Sequence, residues 1–402
     1  MEAARASEGL GFLISGYRPR APVRPRANRG NAAALTLVEN VMQPVDVLVV
    51  GAGQAGLSAA YHLQHRGYVP ATRAEPSDRT FVVLDAEKAP GGAWQHRWDS
   101  LKMATINGIY ELPGLRVPAV DPDQSSNAAL PRYFAAYETQ FDLDVQRPVR
   151  VAAVRDAGVG LAVETDSGKW LAGHVINATG TWSRPYWPYV PGRERFRGRQ
   201  LHVRDYVRAE EFAGQRVVIV GAGISATQLL EEISRHTETL WVTRSEPVWE
   251  DRFSEGEIVA SLARVEERTR QGLAPQSVAS VTGMYRAPWV EAAERRGVLV
   301  RHPMFTAIEE RGVRMPDGTL ESADVILWAT GFRAELSHLA PLGLRTPQGG
   351  MRVANGRSLD EPRLFVIGYG PSQSTVGANR AGRDAVRAIV TDRAPAAQTA
   401  VV

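Results

Sequence analysis

Three glycines, Gly51, Gly53 and Gly56, stand at the spacing G-x-G-x-x-G in "VLVVGAGQAGLSAAYHL", between an apolar run and an Ala/Leu-rich stretch. A glycine turn at that junction lets backbone N–H groups come close to a pyrophosphate, and the positive end of the following helix favours the same anion. The next apolar run, "FVVLD", ends at Asp85, whose carboxylate would accept hydrogen bonds from a ribose diol. Asp85 lies farther beyond Gly56 than the roughly 20 residues usual for that role. The Pro-bearing insertion "VPATRAEPSD" accounts for the excess. The alternative is a glycine-rich packing turn with no ligand.

The pattern returns in "RVVIVGAGISATQ", with Gly221 and Gly223 at the same offsets, Ser225 opening the helix, and Ala226 in the third position. The run that follows ends "WVTRSE", which puts Arg244 where the first unit has Asp85. An acid there would repel a 2′-phosphate, whereas a guanidinium binds one bidentately. The first turn is therefore expected to hold FAD and the second NADPH in preference to NADH, unless Arg244 is an ordinary solvated charge. Two dinucleotide sites in one chain imply a relay in which hydride passes from nicotinamide to flavin, and the flavin then needs an acceptor.

Directly before the second turn, Phe196, Gly198, His202 and Tyr206 spell F-x-G-x-x-x-H-x-x-x-Y. In that position the pattern resembles the fingerprint of the flavin-containing monooxygenases of the two-dinucleotide type. Ala329, Thr330, Gly331 and Phe332 look like the ATG-aromatic segment of that family, and "GGAWQHRWDSL" is similar to its flavin-covering G-G-x-W stretch. The resemblance runs from about Val45 to Val390 and implies FAD, NADPH, O2 and a small-molecule substrate. It also implies that reduced flavin forms a C4a-hydroperoxide whose distal oxygen is taken by an amine or sulfide. Such chemistry belongs to the cofactor and needs no protein nucleophile; the protein orients, keeps NADP⁺ in place and excludes water.

The same resemblance assigns roles residue by residue. Gly92, Trp94, Arg97, Trp98 and Asp99 either line the flavin or, for the tryptophans, pack as core. Gly331 and Gly368 close strands beside the cofactors. Asn107 in "TINGIY" is the nearest candidate for an Asn beside the hydroperoxide, although its spacing does not match cleanly. His202 is expected chiefly to order the linker, with direct acid-base chemistry as the lesser alternative. The Baeyer–Villiger branch usually has Trp, often followed by Pro, where this chain has Tyr206 and Val207, so the Tyr favours oxygenation of nitrogen or sulfur. Baeyer–Villiger oxidation of a ketone, or an NADPH–flavin oxidoreductase without oxygen transfer, stay open. His62 and His65, at i and i+3 on the first Rossmann helix, read as part of its polar face rather than as a metal pair.

These groups need elements to hold them. Strand, turn and helix recur from Val45, from Arg216 and again in "RLFVIGYG" with "GANRAGRDAVRAIV". Two alternating segments, Val151 to Gly180 and Val313 to Phe332, suit small antiparallel meanders, the second around a D-G turn. Each ends on an ATG, and the two ATG segments bracket the second glycine turn. The expected fold is α/β, with two Rossmann-like dinucleotide-binding domains. The NADPH domain (191–328) is inserted into the FAD domain (43–190 and 329–392), and each carries a β-meander. Residues 1–42 and 393–402 read as flexible extensions.

Composition narrows the classes further. The 402 residues contain no cysteine, which excludes a disulfide framework, a dithiol redox centre and a Cys nucleophile. The formal charge of +3 is matched by six Arg against three Glu in residues 1–41, so the folded part carries no basic excess for nucleic acid. No apolar run approaches the roughly 20 residues of a membrane span. "GLGFLISG" is too short for a secretory core, which leaves a cytoplasmic location as the expectation. Helix-rich Arg252 to Gly297 is the expected place for a substrate lid or a subunit contact, a homodimer included.

Overall fold

The computed structural model describes residues 42–392, apart from 107, 251–253, 277–280 and 282. The expected N-terminal and C-terminal extensions and Asn107 lie outside the described residues. The first unit begins with β1 (Gln43–Val50), α1 (Gln54–Gln64), β2 (Tyr68–Pro70) and β3 (Arg79–Leu84). It continues with α2 (Ser126–Phe141), β4 (Val145–Gln146), β5 (Val151–Asp156), β6 (Leu161–Thr165) and β7 (Gly168–Asn177). β1 runs parallel between β3 and β7, and its side chains are buried on both faces, as a central parallel strand requires. Val47 and Val49 enter one core, with α1 and Ile389 of the last helix. Leu48 and Val50 enter the other, with Val154, Leu161 and Val163 of the meander.

The second unit comprises β8 (Arg199–His202), β9 (Val217–Val220), α3 (Ile224–Ile233), β10 (Thr239–Thr243), β11 (Trp249–Glu250), α4 (Glu255–Arg270), β12 (Met284–Tyr285), α5 (Pro288–Arg295) and β13 (Arg301–Pro303). An antiparallel meander follows, made of β14 (Ala307–Glu309), β15 (Gly312–Arg314) and β16 (Leu320–Ser322), before β17 (Val325–Trp328). The parallel sheet has the order β13-β10-β9-β17-β8. The chain then returns through β18 (Val353–Ala354), β19 (Arg357–Ser358), β20 (Leu364–Val366) and α6 (Thr375–Asp392). β20 adds to β7 in parallel and so completes the first sheet. This is the expected α/β fold with one domain interrupting the other.

Three local features add detail to this frame. The Pro-bearing insertion after α1 begins in an edge strand, since Tyr68–Pro70 adds to β3, and an edge tolerates Pro because one row of N–H groups faces away from the ladder. α2 opens at Ser126, upstream of Pro131, because Ala129, Leu130, Tyr133 and Phe134 bury along one face that Pro131 does not interrupt. The first meander is continuous with the main sheet, because β7 pairs with β6 on one side and β1 on the other.

A buried histidine ties the returning chain to β7. His338 Nε2 donates to Asn177 Oδ1 at 2.7 Å, and the ring is 5% exposed. Burial lowers its pKa to about 4, so the folded protein disfavours the imidazolium that the unfolded chain accepts near pH 6.5. Its contribution is fully present above pH 6.5 and is lost as pH falls toward 4, about 3 kcal/mol over that window. Chemical denaturation across this range is expected to show a flatter pH slope in His338→Gln than in the parent; identical slopes would contradict the assignment.

Candidate active site

The glycine turns occupy equivalent places at the carboxyl ends of the two parallel sheets, where open α/β sheets bind ligands. In the first, Ala178 N donates to Val50 O (2.8 Å), which brings the Ala178 carbonyl within 2.8 Å of where a Gly51 side chain would begin; Gly51 takes φ +98°. In the second, Ala329 N donates to Val220 O (2.8 Å), and the Ala329 carbonyl lies 2.3 Å from the corresponding point at Gly221, φ +144°. Each ATG segment thus packs against the first glycine of its own turn, which explains why the tripeptide occurs twice.

The second glycines behave differently. A Cβ on Gly53 or Gly223 would meet nothing within 4 Å, so these backbones are bare toward open space at the N-termini of α1 and α3. That is the cradle a pyrophosphate needs, and the residues fit a dinucleotide at both turns. At the third position, a Cβ on Gly56 would lie 1.8 Å from Gly51 O, whereas α3 accommodates a fully buried Ala226. Ser225 sits in the first turn of α3 beside this cradle.

The groups at the ribose positions differ in charge and in setting. Asp85 follows β3, is 6% exposed, and gives Oδ2 to Arg147 (Nη2 at 3.1 Å, Nε at 3.3 Å). Arg147 also forks onto Glu138. Oδ1 of Asp85 has no protein partner among the described residues and remains an acceptor for a diol. Arg244 follows β10, is exposed, and has no carboxylate within ion-pair distance among the described residues. Its neighbour Arg301 is already committed to Glu246 (3.1 Å) and to Thr243 Oγ1 (2.9 Å).

The G-G-x-W stretch forms a 3-10 turn, Gly92–His96, laid over the first cradle: a Cβ on Gly92 would lie 3.0 Å from Gly53 Cα. Trp94 bridges the cores of both units. Trp98 is buried edge-on to Tyr206 (5.9 Å) within the second unit's core. Arg97 lies 4.4 Å from the ring of Trp182 and 5.5 Å from that of Trp94. Asp99 is fixed by Asn127 Nδ2 (2.8 Å), which also donates to Arg97 O. Gly331 and Gly368, with φ +78° and +69°, turn the chain after β17 and β20.

His202 and Tyr206, the fingerprint residues, are both anchored. Nδ1 of His202 accepts from Arg204 N (3.1 Å), so Nε2 carries the proton and donates to Gly331 O (3.0 Å). Burial lowers the pKa of this fully enclosed ring. Both nitrogens being spent, His202 fastens the end of β8 to the second ATG. Tyr206 Oη donates to Glu232 Oε1 (2.8 Å), which also accepts from Ser100 Oγ (2.5 Å). Burial and the Glu232 carboxylate raise the Tyr206 pKa. Ser100 belongs to the first unit and Glu232 to α3 of the second, so this triad clasps the two together. Tyr206→Phe is expected to cost about 1–2 kcal/mol in chemical denaturation; an unchanged midpoint would contradict the clasp.

Arg147, Trp182, Glu232 and Ser100 escaped sequence reasoning. Trp182 had a signal, since it stands two residues after the first ATG while Phe332 directly follows the second, and the two rings stack at 4.8 Å. The linkers that carry them are zipped together by Tyr186 N to Gly331 O (2.9 Å) and Glu335 N to Gly180 O (3.0 Å). His62 and His65 belong to no metal-holding cluster among the described residues. No described helix is long and apolar enough to cross a membrane.

Two glycine-turn domains, one interrupting the other, define the architecture of two-dinucleotide oxidoreductases. The chain matches the pyridine nucleotide-disulphide oxidoreductase family model over residues 48–368. The structure of a flavin-containing monooxygenase from Stenotrophomonas maltophilia is 38% identical, superposes with a TM-score of 0.74, and covers 87% of this chain and 99% of its own. Indole-3-pyruvate monooxygenase YUCCA1 of Oryza sativa subsp. japonica is 29% identical, covering 72% of this chain and 77% of its own. The uncharacterized oxidoreductase CzcO of Bacillus subtilis (strain 168) is 23% identical, covering 80% and 91%. The chain belongs to the pyridine nucleotide-disulphide oxidoreductase family and, within it, to the flavin-dependent monooxygenases.

Proposed function

We propose that the protein is an FAD- and NADPH-dependent monooxygenase that places one oxygen atom of O2 on nitrogen or sulfur of a small organic molecule. The second oxygen atom leaves as water, with a hydride from NADPH and a solvent proton balancing the reaction. The observation that carries this reading is the pair of bare glycine cradles with opposite charges at their ribose positions, Asp85 for a diol and Arg244 for a 2′-phosphate. FAD then belongs to 43–190 and 329–392, and NADPH to 191–328. Bound FAD would supply the electrons that activate O2.

The chain's own residues bind, orient and exclude water. Gly51, Gly53, Gly56 and Asp85 would hold FAD under the cover of Gly92 and Trp94. Gly221, Gly223, Ser225, Ala226 and Arg244 would hold NADPH. The His202–Gly331 bond and the Ser100–Glu232–Tyr206 clasp keep the cradles in register and the cleft dry, which favours transfer to substrate over release of peroxide. His202 is thus a positioning residue. A cytoplasmic location goes with a consumer of NADPH.

The test is turnover with NADPH against aryl methyl sulfides, tertiary amines and cyclic ketones, with products identified by mass spectrometry. Sulfoxide or N-oxide formation is expected. Lactone formation alone would move the protein to Baeyer–Villiger chemistry, and stoichiometric peroxide with every substrate would leave only an NADPH–flavin oxidoreductase.

A further inference from the structure

A cavity of about 290 Å³ between the two units is lined by Arg97, Trp98, Trp182 and Tyr206, together with Asp99 and the exposed Arg204 and Asp205. Arg97 is unusual within it. Two other arginines of low exposure meet carboxylates: Arg147 meets Asp85 and Glu138, and Arg363 meets Asp156 and Glu361. Arg97 meets only aromatic faces. Its Nε is enclosed without a hydrogen-bond partner, and no side-chain hydrogen bond or ion pair reaches its guanidinium among the described residues. Cation–π contact with Trp182 and Trp94 offsets part of that cost but satisfies none of the five N–H donors.

A guanidinium held this way lacks an anion. Burial pushes its pKa down to about 10, the sign of a charge without a counter-ion. Asp99 does not supply one, since it lies beyond ion-pair distance and accepts from Asn127 instead. The cofactor phosphates have their own cradles at Gly51–Gly56 and Gly221–Ala226, and none of those residues lines this cavity.

Resting on the monooxygenase reading above, we infer that the cavity binds an organic carboxylate, with the carboxylate forked onto Arg97 and an apolar or aromatic body, bearing the oxidisable sulfur or nitrogen, against Trp98, Trp182 and Tyr206. The substrate class is therefore anionic, and Arg97 is its specificity-determining residue.

The probes are para-methylthiobenzoate and its neutral isostere para-methylthiobenzamide, titrated into the holoenzyme with tryptophan fluorescence as the readout, because Trp98 and Trp182 wall the cavity. The parent is expected to bind the carboxylate about tenfold or more tighter than the amide, the scale of a charge-assisted fork. In Arg97→Gln that ratio is expected to fall to about one, and in Arg97→Lys, which keeps the charge but not the fork, to an intermediate value. A parent ratio near one overturns the inference whether or not the variants fold. So does an Arg97→Gln protein that keeps the parent ratio while its NADPH KM rises, which would give Arg97 to a cofactor phosphate. Oxygenation is scored separately: probes that bind in the expected ratio but yield only peroxide count against the monooxygenase reading and not against the carboxylate site.

Discussion

Gly53→Val is expected to purify as a folded, colourless protein, with a flavin content below about a tenth of the parent's. The expectation separates two roles that a glycine loop confounds. Gly53 sits at φ −80°, ψ −169°, an extended conformation that Val adopts readily, and its Cβ would meet nothing within 4 Å. The fold tolerates the side chain; only a ligand approaching the backbone meets it. Gly56 is the contrasting case, because a Cβ there would stand 1.8 Å from Gly51 O and force α1 away from β1. Gly56→Val should therefore lose solubility or cooperativity as well as colour. Absorbance of the purified proteins together with thermal unfolding distinguishes them. A yellow, stoichiometrically loaded Gly53→Val protein would remove the first cradle from the account.

Arg244→Ala is expected to raise the KM for NADPH about tenfold or more while leaving that for NADH nearly unchanged, the loss of one charge-assisted fork on the 2′-phosphate. The structure strengthens the expectation. Arg301, the other cation beside the end of β10, is occupied by Glu246 and Thr243, so it is poorly placed to substitute. The pairing also neutralises Glu246, whose carboxylate would otherwise oppose a phosphate. Equal effects on both coenzymes in steady-state kinetics would show that Arg244 does not meet the 2′-phosphate.

What was legible in the sequence was local. Each glycine turn announces itself because three positions answer to one backbone geometry, and each parallel strand because burial on both faces demands an unbroken apolar run. The repeated ATG was visible, but its cause was not: a carbonyl packed where Gly51 or Gly221 would carry a side chain is a contact across the sheet. The same holds for the clasp. Ser100, Tyr206 and Glu232 are distant in sequence and ordinary in type, and only folding brings them to one carboxylate. Arg147 was missed because it reads as one charge among many until Asp85 and Glu138 flank it. α2 runs through Pro131, since a local stop signal yields to the burial of Ala129, Leu130, Tyr133 and Phe134. Tyr206, noticed for the oxygenation it favours, has its hydroxyl committed to Glu232, so its influence on the outcome runs through how tightly the domains are held.

The central claim is that oxygen from O2 reaches a heteroatom of the substrate at the expense of NADPH. Turnover of an aryl methyl sulfide with NADPH under isotope-labelled O2 tests it most directly, with the product sulfoxide examined by mass spectrometry. The account predicts sulfoxide carrying one labelled oxygen in near-stoichiometric yield on NADPH consumed. Unlabelled sulfoxide, or quantitative recovery of the label as hydrogen peroxide, would contradict it.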